Sequence, residues 1–110
     1  MEIKQEKKGD VTVMNVSGRL DATTATELEA SLVPVIEESG EKIVLNLEGL
    51  EYISSAGLRI LLLGMKMVKK ISGKMVICEM RDHIREIFEI AGFLPIFTIV
   101  ATEEDALAAF

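Results

Sequence analysis

Two adjacent hydroxyl side chains, Ser54 and Ser55, stand where a helical pattern begins, and they are the groups in this chain best placed for covalent chemistry. A serine at the start of a helix can cap it, because its oxygen accepts a free backbone N–H. The same position tolerates a phosphate, since the unpaired N–H groups and the helix dipole both favour an anion there. The next residues, Ala56 and Gly57, are small and would permit close approach by another molecule. The pattern therefore predicts either a helix cap or a place where another molecule can approach closely.

Residues for an alternative, enzymatic chemistry are sparse. Ser55, His83 and Asp21 are the residue types of a hydrolytic triad, but the chain has one histidine and lacks the Gly-x-Ser-x-Gly elbow. One histidine, one cysteine and scattered carboxylates give no recurring metal-ligand spacing, and the glycines form no phosphate-cradling run. Cys78 lies in an apolar run, which favours a buried thiol. We therefore expect no catalytic residues, no metal and no cofactor.

The composition indicates one cytoplasmic domain whose partner is a protein. With 110 residues and a hydrophobic fraction of 49%, the chain has the size and balance of one globule, so we expect a single domain over 1–110. The net charge of −6 disfavours binding to nucleic acid or to an anionic membrane, both of which need a basic face. No stretch is long and apolar enough to span a membrane, and the mixed charges at the N-terminus are unlike a signal peptide.

The elements that would position the two serines follow an alternating order. Short runs rich in branched apolar residues alternate with segments in which apolar residues recur every three or four positions. Strands are predicted at 11–16, 43–47, 74–80 and 96–100, after a weak first strand, and helices from 21, from 54 or 55 to about 70, from 81 or 82, and from 102. The order ββαβαβαβα, with about five strands and about four helices, indicates an α/β fold. Each crossover from strand to helix to strand packs a helix against a largely parallel sheet.

Single residues set several of the predicted boundaries. Asp21 is predicted to cap the first helix, and Pro34 is predicted to kink that helix or to end it early. Ser39-Gly40 is the expected end of the same helix, and the segment from Gly49 to Tyr52 is interpreted as a loop. Thr102 is predicted to cap the last helix.

Two polar loops should meet at the carboxyl end of the sheet, where helix N-termini converge. The first covers 17–21 and the second covers 51–58. If the strands before them are neighbours, Asp21 lies beside Ser55. Asp21 could then contact a partner in addition to capping its helix.

The outer side of the second helix leaves one alternative open. Ile60, Leu63 and Met67 lie off the main apolar stripe of this helix. They form either an exposed apolar band for a partner or a surface buried under neighbouring elements. Three cations, Lys66, Lys69 and Lys70, gather near the end of the helix, where they oppose its dipole.

Three segments together resemble one protein family. They are Gly18-Arg19-Leu20-Asp21, Ile43-Val44-Leu45-Asn46-Leu47 followed by Leu50, and Tyr52-Ile53-Ser54-Ser55-Ala56-Gly57-Leu58. In order and spacing they resemble the STAS domains of bacterial anti-sigma-factor antagonists. The likeness extends over nearly the whole chain, including 74–78 and 87–93. It implies a single STAS-like domain with a mixed, largely parallel sheet.

The resemblance implies a regulatory function. In that family the domain binds an anti-sigma factor that is also an ATP-dependent serine kinase, and this binding frees the sigma factor. Phosphorylation of the antagonist ends the binding, and a serine phosphatase restores it. The alternative is a STAS module in a stress-response assembly that does not act on a sigma factor directly.

The resemblance also implies which residues carry the switch. Matched by position, the phosphoacceptor is Ser55. The surrounding residues expected to bind the partner are Asp21, Ser54, Ala56, Gly57 and Leu58. The family loop usually has Asp at the position of Ser54 and a hydroxyl residue at the position of Ala56, so Ser54 is a rival acceptor.

Overall fold

The computed structural model describes residues 1–39 and 41–110, and within them it contains six strands and four α-helices. In chain order these are β1 (Glu2–Lys8), β2 (Val11–Leu20), α1 (Ala25–Ser39), β3 (Lys42–Asn46), β4 (Leu50–Ile53), α2 (Ser55–Lys70), β5 (Lys74–Cys78), α3 (Asp82–Ile90), a 3-10 helix (Leu94–Ile96), β6 (Thr98–Ile99) and α4 (Glu103–Ala108). The predicted α/β class is confirmed, and one strand more than expected is present.

The sheet is mixed and largely parallel. Its order is β1-β2-β3-β5-β6, and β4 pairs with the end of β2 beside that path. Only the β1 and β2 pair is antiparallel among the pairings described, as expected for two strands joined by the short turn at Gly9.

Strand β2 pairs with two different strands on one side. Its first half, Thr12 to Asn15, pairs with β3, and its end, Gly18 to Leu20, pairs with β4. The register shifts at Gly18, whose φ of +93° suits glycine and whose N–H donates to the Gly49 carbonyl at 2.9 Å. The segment predicted as a loop therefore contains a strand, because the ladder along β2 continues past residue 16.

Alternate residues of the central strands face two separate cores. On β3, Ile43 and Leu45 pack with α1, α2 and α3, whereas Val44 faces the opposite side. On that side Val76 and Cys78 of β5 are covered by α4. Both faces of the sheet are buried, which explains why the strands are nearly continuous apolar runs.

The first helix begins later than predicted and continues past its proline. Asp21 caps a turn over 22–24, and regular helix starts at Ala25. Pro34 lies inside α1, which runs on to Ser39, so the expected early end is wrong. The predicted stop at Gly40 lies outside the described residues.

The second half of the chain follows the predicted elements, but two strands are shorter than predicted. The strand predicted at 74–80 ends at Cys78. Helix α2 has the predicted start and end, and Thr102 caps α4 by accepting the Asp105 N–H at 3.1 Å. The strand predicted at 96–100 is reduced to Thr98–Ile99, because Pro95 initiates a 3-10 helix that takes Ile96.

Candidate functional site

The stretches predicted as polar loops, 17–21 and 51–58, lie side by side as predicted, but most of their residues belong to β2, β4 and α2. Leu20 and Ile53 are partners in the parallel ladder, and the Ser54 N–H donates to the Leu20 carbonyl at 2.9 Å. Asp21 directly follows Leu20, and Ser55 directly follows Ser54. The pairing therefore places the start of α2 beside the Asp21 turn.

Ser55 is the exposed hydroxyl of this site. It is the first residue of α2, and the first turn of this helix contains no acidic side chain. The N–H groups of that turn have no partners within the helix, which makes this end favourable for an anion. A negatively charged group on Ser55 would therefore meet free donors and no neighbouring carboxylate in the first turn.

Ser54 occupies the N-cap position without capping through its side chain. Its backbone is extended, with φ −100° and ψ 174°, and its carbonyl accepts the Leu58 N–H at 3.0 Å. The Ser54 Oγ is buried and has no hydrogen-bond partner in the described part of the chain. A buried hydroxyl is a poor acceptor for a phosphoryl group, because an incoming nucleotide cannot reach it.

Gly57 and Leu58 lie inside the domain. A Cβ on Gly57 would stand 2.6 Å from Leu20 Cγ and 3.0 Å from Ile53 Cγ1, so the small residue permits close approach of β2 and β4 to the helix. Leu58 is 3% exposed. The close approach predicted at Gly57 is thus made within the chain, and the accessible residues of the site are Asp21, Ser55 and Ala56.

Asp21 is held in one orientation by the turn that follows it. Its Oδ1 accepts the Thr23 hydroxyl at 2.7 Å and the Thr23 N–H at 3.0 Å. These hydrogen bonds lower the pKa of the Asp21 carboxyl from its usual value of 3.8. The side chain is therefore an ionised, fixed acceptor at neutral pH.

Arg19 and Tyr52 belong to the same surface and were not predicted as site residues. They are partners across β2 and β4, and the Arg19 guanidinium lies 4.4 Å from the centre of the Tyr52 ring. The Arg19 Nε is also 3.8 Å from the Asp21 carboxylate. Recognising β4 as a strand would have revealed this pair, because the register brings the two residues together.

The structure does not assemble the hydrolytic triad considered above. The His83 Nε2 is 2.7 Å from the Glu51 carbonyl, and the Asp21 carboxylate is occupied by Thr23. Among the residues described, neither group hydrogen-bonds to Ser55. Cys78 is fully buried, and burial raises the pKa of its thiol to about 12, so almost no thiolate forms at neutral pH.

Two further classes of feature have no counterpart in the described residues. Within 1–39 and 41–110, no cluster of three or more histidine, cysteine or carboxylate side chains could hold a metal ion. Over the same residues, no helix has the length and apolar character needed to cross a bilayer.

Comparison with known proteins places this fold in a family. The family model for the STAS domain matches residues 2–106. This chain belongs to the STAS family. The STAS domain described here is 39% identical over 110 residues to BtrV of Bordetella bronchiseptica, which is named as an anti-sigma factor antagonist; the match covers 100% of the chain and 95% of BtrV.

Two other relatives of this STAS domain have similar names. The anti-sigma-B factor antagonist of Bacillus subtilis is 31% identical over 104 residues, which are 94% of the chain and 93% of that protein. A crystal structure of an anti-sigma factor antagonist from Mycobacterium paratuberculosis is 29% identical, with a TM-score of 0.89 over 98% of the chain and 92% of that structure. Each of these matches covers more than nine tenths of this chain and of the relative.

Proposed function

We propose that this STAS domain is a cytoplasmic anti-sigma-factor antagonist, switched off by phosphorylation of Ser55. It binds an anti-sigma factor that is also a serine kinase, and a serine phosphatase returns it to the binding state. The observation that carries the proposal is the exposed Ser55 hydroxyl at the first residue of α2, in a chain 39% identical to a relative named as such an antagonist. The domain itself is a binding protein and not an enzyme.

The position of Ser55 favours a switch at the interface. A phosphate adds a charge of roughly −1.5 to −2 at pH 7, and free N–H groups at the start of α2 stabilise it in the unbound domain. In a complex the same dianion would have to lose water against a surface shaped for a neutral hydroxyl. Uncompensated burial of a charge costs several kcal/mol, and each ~1.4 kcal/mol is about tenfold in affinity.

The phosphoacceptor is tested by comparing Ser55→Ala with Ser54→Ala. Each variant is incubated with the purified kinase-type anti-sigma factor and labelled ATP, and phosphate incorporation is measured. We expect Ser55→Ala to abolish incorporation and Ser54→Ala to retain it, because the Ser54 oxygen is buried. Incorporation that survives in Ser55→Ala and disappears in Ser54→Ala would assign the modification to the rival serine.

The partner is tested by affinity capture from cells with the unphosphorylated domain, followed by binding of the purified candidate in ADP and in ATP. We expect a kinase-type anti-sigma factor to bind in ADP and to release the domain once ATP has allowed phosphorylation. Binding to a stress-response assembly without any such kinase would favour the alternative function as a signalling module.

A further inference from the structure

The charge of α2 differs from that of the rest of the chain. The helix contains four cations and no acidic residue, whereas all 18 acidic residues lie elsewhere, with the other 8 of the 12 Lys and Arg. Two of the cations, Lys69 and Lys70, are in the last turn, where they oppose the helix dipole. Arg59 is in the second turn, near the positive end of the dipole, so stability of the helix does not explain it.

Exposed side chains form a line along the outer face of α2. They recur at steps of three or four from the first residue of the helix to the last, and are Ser55, Arg59, Leu63, Lys66 and Lys70. This line, called here the basic stripe, is about 22 Å long at the usual rise of an α-helix. In the part of the chain that is described, none of its three cations has a carboxylate within ion-pair distance.

We infer that the basic stripe is a docking surface for an acidic face of a protein partner, with an apolar contact at Leu63. The inference rests on the proposed function, because Ser55 begins the stripe and its modification would act on whatever docks there. Leu63 is 36% exposed in the middle of the stripe. Unpaired cations around an accessible leucine suit an acidic surface that offers one apolar contact.

The stripe gives the phosphate a second action. Residues four apart on a helix are neighbours, so a phosphate on Ser55 would lie beside Arg59. The dianion would cancel part of the positive charge at the start of the stripe. An acidic partner would lose attraction there and gain repulsion from the phosphate. Lys70, about 22 Å away, is beyond a Debye length at physiological salt and would be affected little.

An acidic protein fits this surface better than an anionic membrane does. A membrane is an extended plane, and the strongly acidic remainder of the domain would be repelled by it. The apolar area is also small, because Ile60 and Met67 beside the stripe are only partly exposed and pack against the core. A protein surface can match a narrow stripe without approaching the rest of the domain.

Charge reversal tests the stripe against a matched control. Arg59→Glu with Lys66→Glu changes the net charge as much as Lys4→Glu with Lys7→Glu, whose side chains are exposed on β1. Affinity for the purified anti-sigma factor is measured at several salt concentrations. We expect the α2 variant to bind roughly tenfold or more weakly and to lose most of its salt dependence, and the β1 variant to stay near wild type. Circular dichroism checks that both are folded. Equal effects of the two variants contradict the stripe.

A second measurement separates the stripe from the proposed function. NMR chemical shifts of the backbone amides are recorded for the isotope-labelled domain while a helical peptide is added. The peptide has glutamates on one face and leucines on another. We expect the shifts to concentrate on α2 between Ser55 and Lys70, whereas shifts concentrated on β1 or spread evenly contradict the stripe. Failure of the unmodified domain to bind any anti-sigma factor contradicts the proposed function, and the peptide result then decides the stripe. The domain is also centrifuged with vesicles of phosphatidylglycerol and phosphatidylcholine. If it sediments with the vesicles and the α2 variant does not, the stripe binds a membrane and the inference of a protein partner is wrong.

Discussion

Accessibility distinguishes the two adjacent serines. Ser55, the first residue of α2, is exposed, whereas the Ser54 oxygen is buried and has no hydrogen-bond partner among the described residues. Their neighbour Asp21 is fixed by Thr23 and remains ionised. Of the two serines, Ser55 is therefore the accessible one, and it follows the backbone that pairs with β2 next to the fixed Asp21 carboxylate.

A carboxylate in place of Ser55 should leave the fold intact and weaken binding. In Ser55→Asp, the acidic side chain interacts favourably with the start of α2, by about 0.3–1 kcal/mol at a surface position. We expect a melting temperature equal to or slightly above that of wild type, together with reduced affinity for the anti-sigma factor. Thermal denaturation and a binding titration measure the two effects, with Ser55→Ala as control. A variant that unfolds would contradict an interfacial switch.

At the level of single residues, the sequence was informative about spacing and less so about contacts. The positions of Ser55 and Asp21 after predicted strands indicate that both belong to the site. They also predict that the two residues are close together, and the pairing of Leu20 with Ile53 confirms this. The sequence could not reveal that Gly57 faces Leu20, because the distance between them depends on how α2 packs on the sheet. The pair of Arg19 and Tyr52 was missed for a similar reason, since it exists only in the register of β2 with β4.

At the scale of elements, two glycines let α2 approach its neighbours. Gly57 contacts β2 and β4, and Gly64 contacts α1, where an added Cβ would stand 2.6 Å from Leu32 Cδ2. The obstacles differ. Near Gly57 the closest atom is Leu20 Cγ, the branch point of a fully buried side chain, which cannot move without displacing both methyl groups. Near Gly64 the closest atom is Leu32 Cδ2, a terminal methyl group that a rotation of the side chain can move.

Alanine at these two glycines should therefore have unequal effects. Both changes gain up to about 1 kcal/mol of helix propensity. Overpacking costs about 1–3 kcal/mol, and we expect most of it in Gly57→Ala. Urea denaturation should show a lower free energy of unfolding for Gly57→Ala than for Gly64→Ala. A Gly64→Ala variant that is as unstable or less stable would mean that the α1 contact, not the β2 contact, limits the position of α2.

Elements with a strong local pattern were predicted well, and those made by pairing were not. Helix α2 has a long apolar stripe, a clear start and a clear end, so local sequence specifies it. Strand β4 has four residues, and only its partner β2 distinguishes it from a loop. The predicted last strand is longer than the observed one. Apolar residues near Pro95 fit a strand pattern, but the backbone forms a 3-10 helix there.

At the scale of the whole molecule, a polar network joins the two ends of the chain. The Glu103 carboxylate at the start of α4 accepts from Lys8 at the end of β1 and from Asn46 at the end of β3. Its own N–H donates to Glu79 at 2.8 Å. The network fastens α4 over the second core, where Cys78 and Val76 are buried.

This network should make the free energy of unfolding depend on pH. The hydrogen bonds from Lys8 and then Asn46 lower the pKa of Glu103 from its usual value of 4.5. Since the folded state has the lower pKa, the contribution is complete above about 4.5 and is lost as pH falls through the folded value. We expect Glu103→Gln to reduce the free energy of unfolding at pH 7 and to differ less from wild type at pH 3. Urea denaturation at both values measures this, with exposed Glu104→Gln as control. A difference that does not shrink in acid would exclude the ion pair as its source.

The hydrogen bond from the Ser54 N–H to Leu20, within the β2 and β4 ladder, has a kinetic consequence. Because this ladder joins the backbone before Ser55 to β2, we expect that backbone to keep its position when a partner binds. Association should then be governed by diffusional encounter and orientation, and residence time by the dissociation rate. If Ser55 is phosphorylated as proposed, the rate of partner exchange would then be set by the enzymes that add and remove its phosphate.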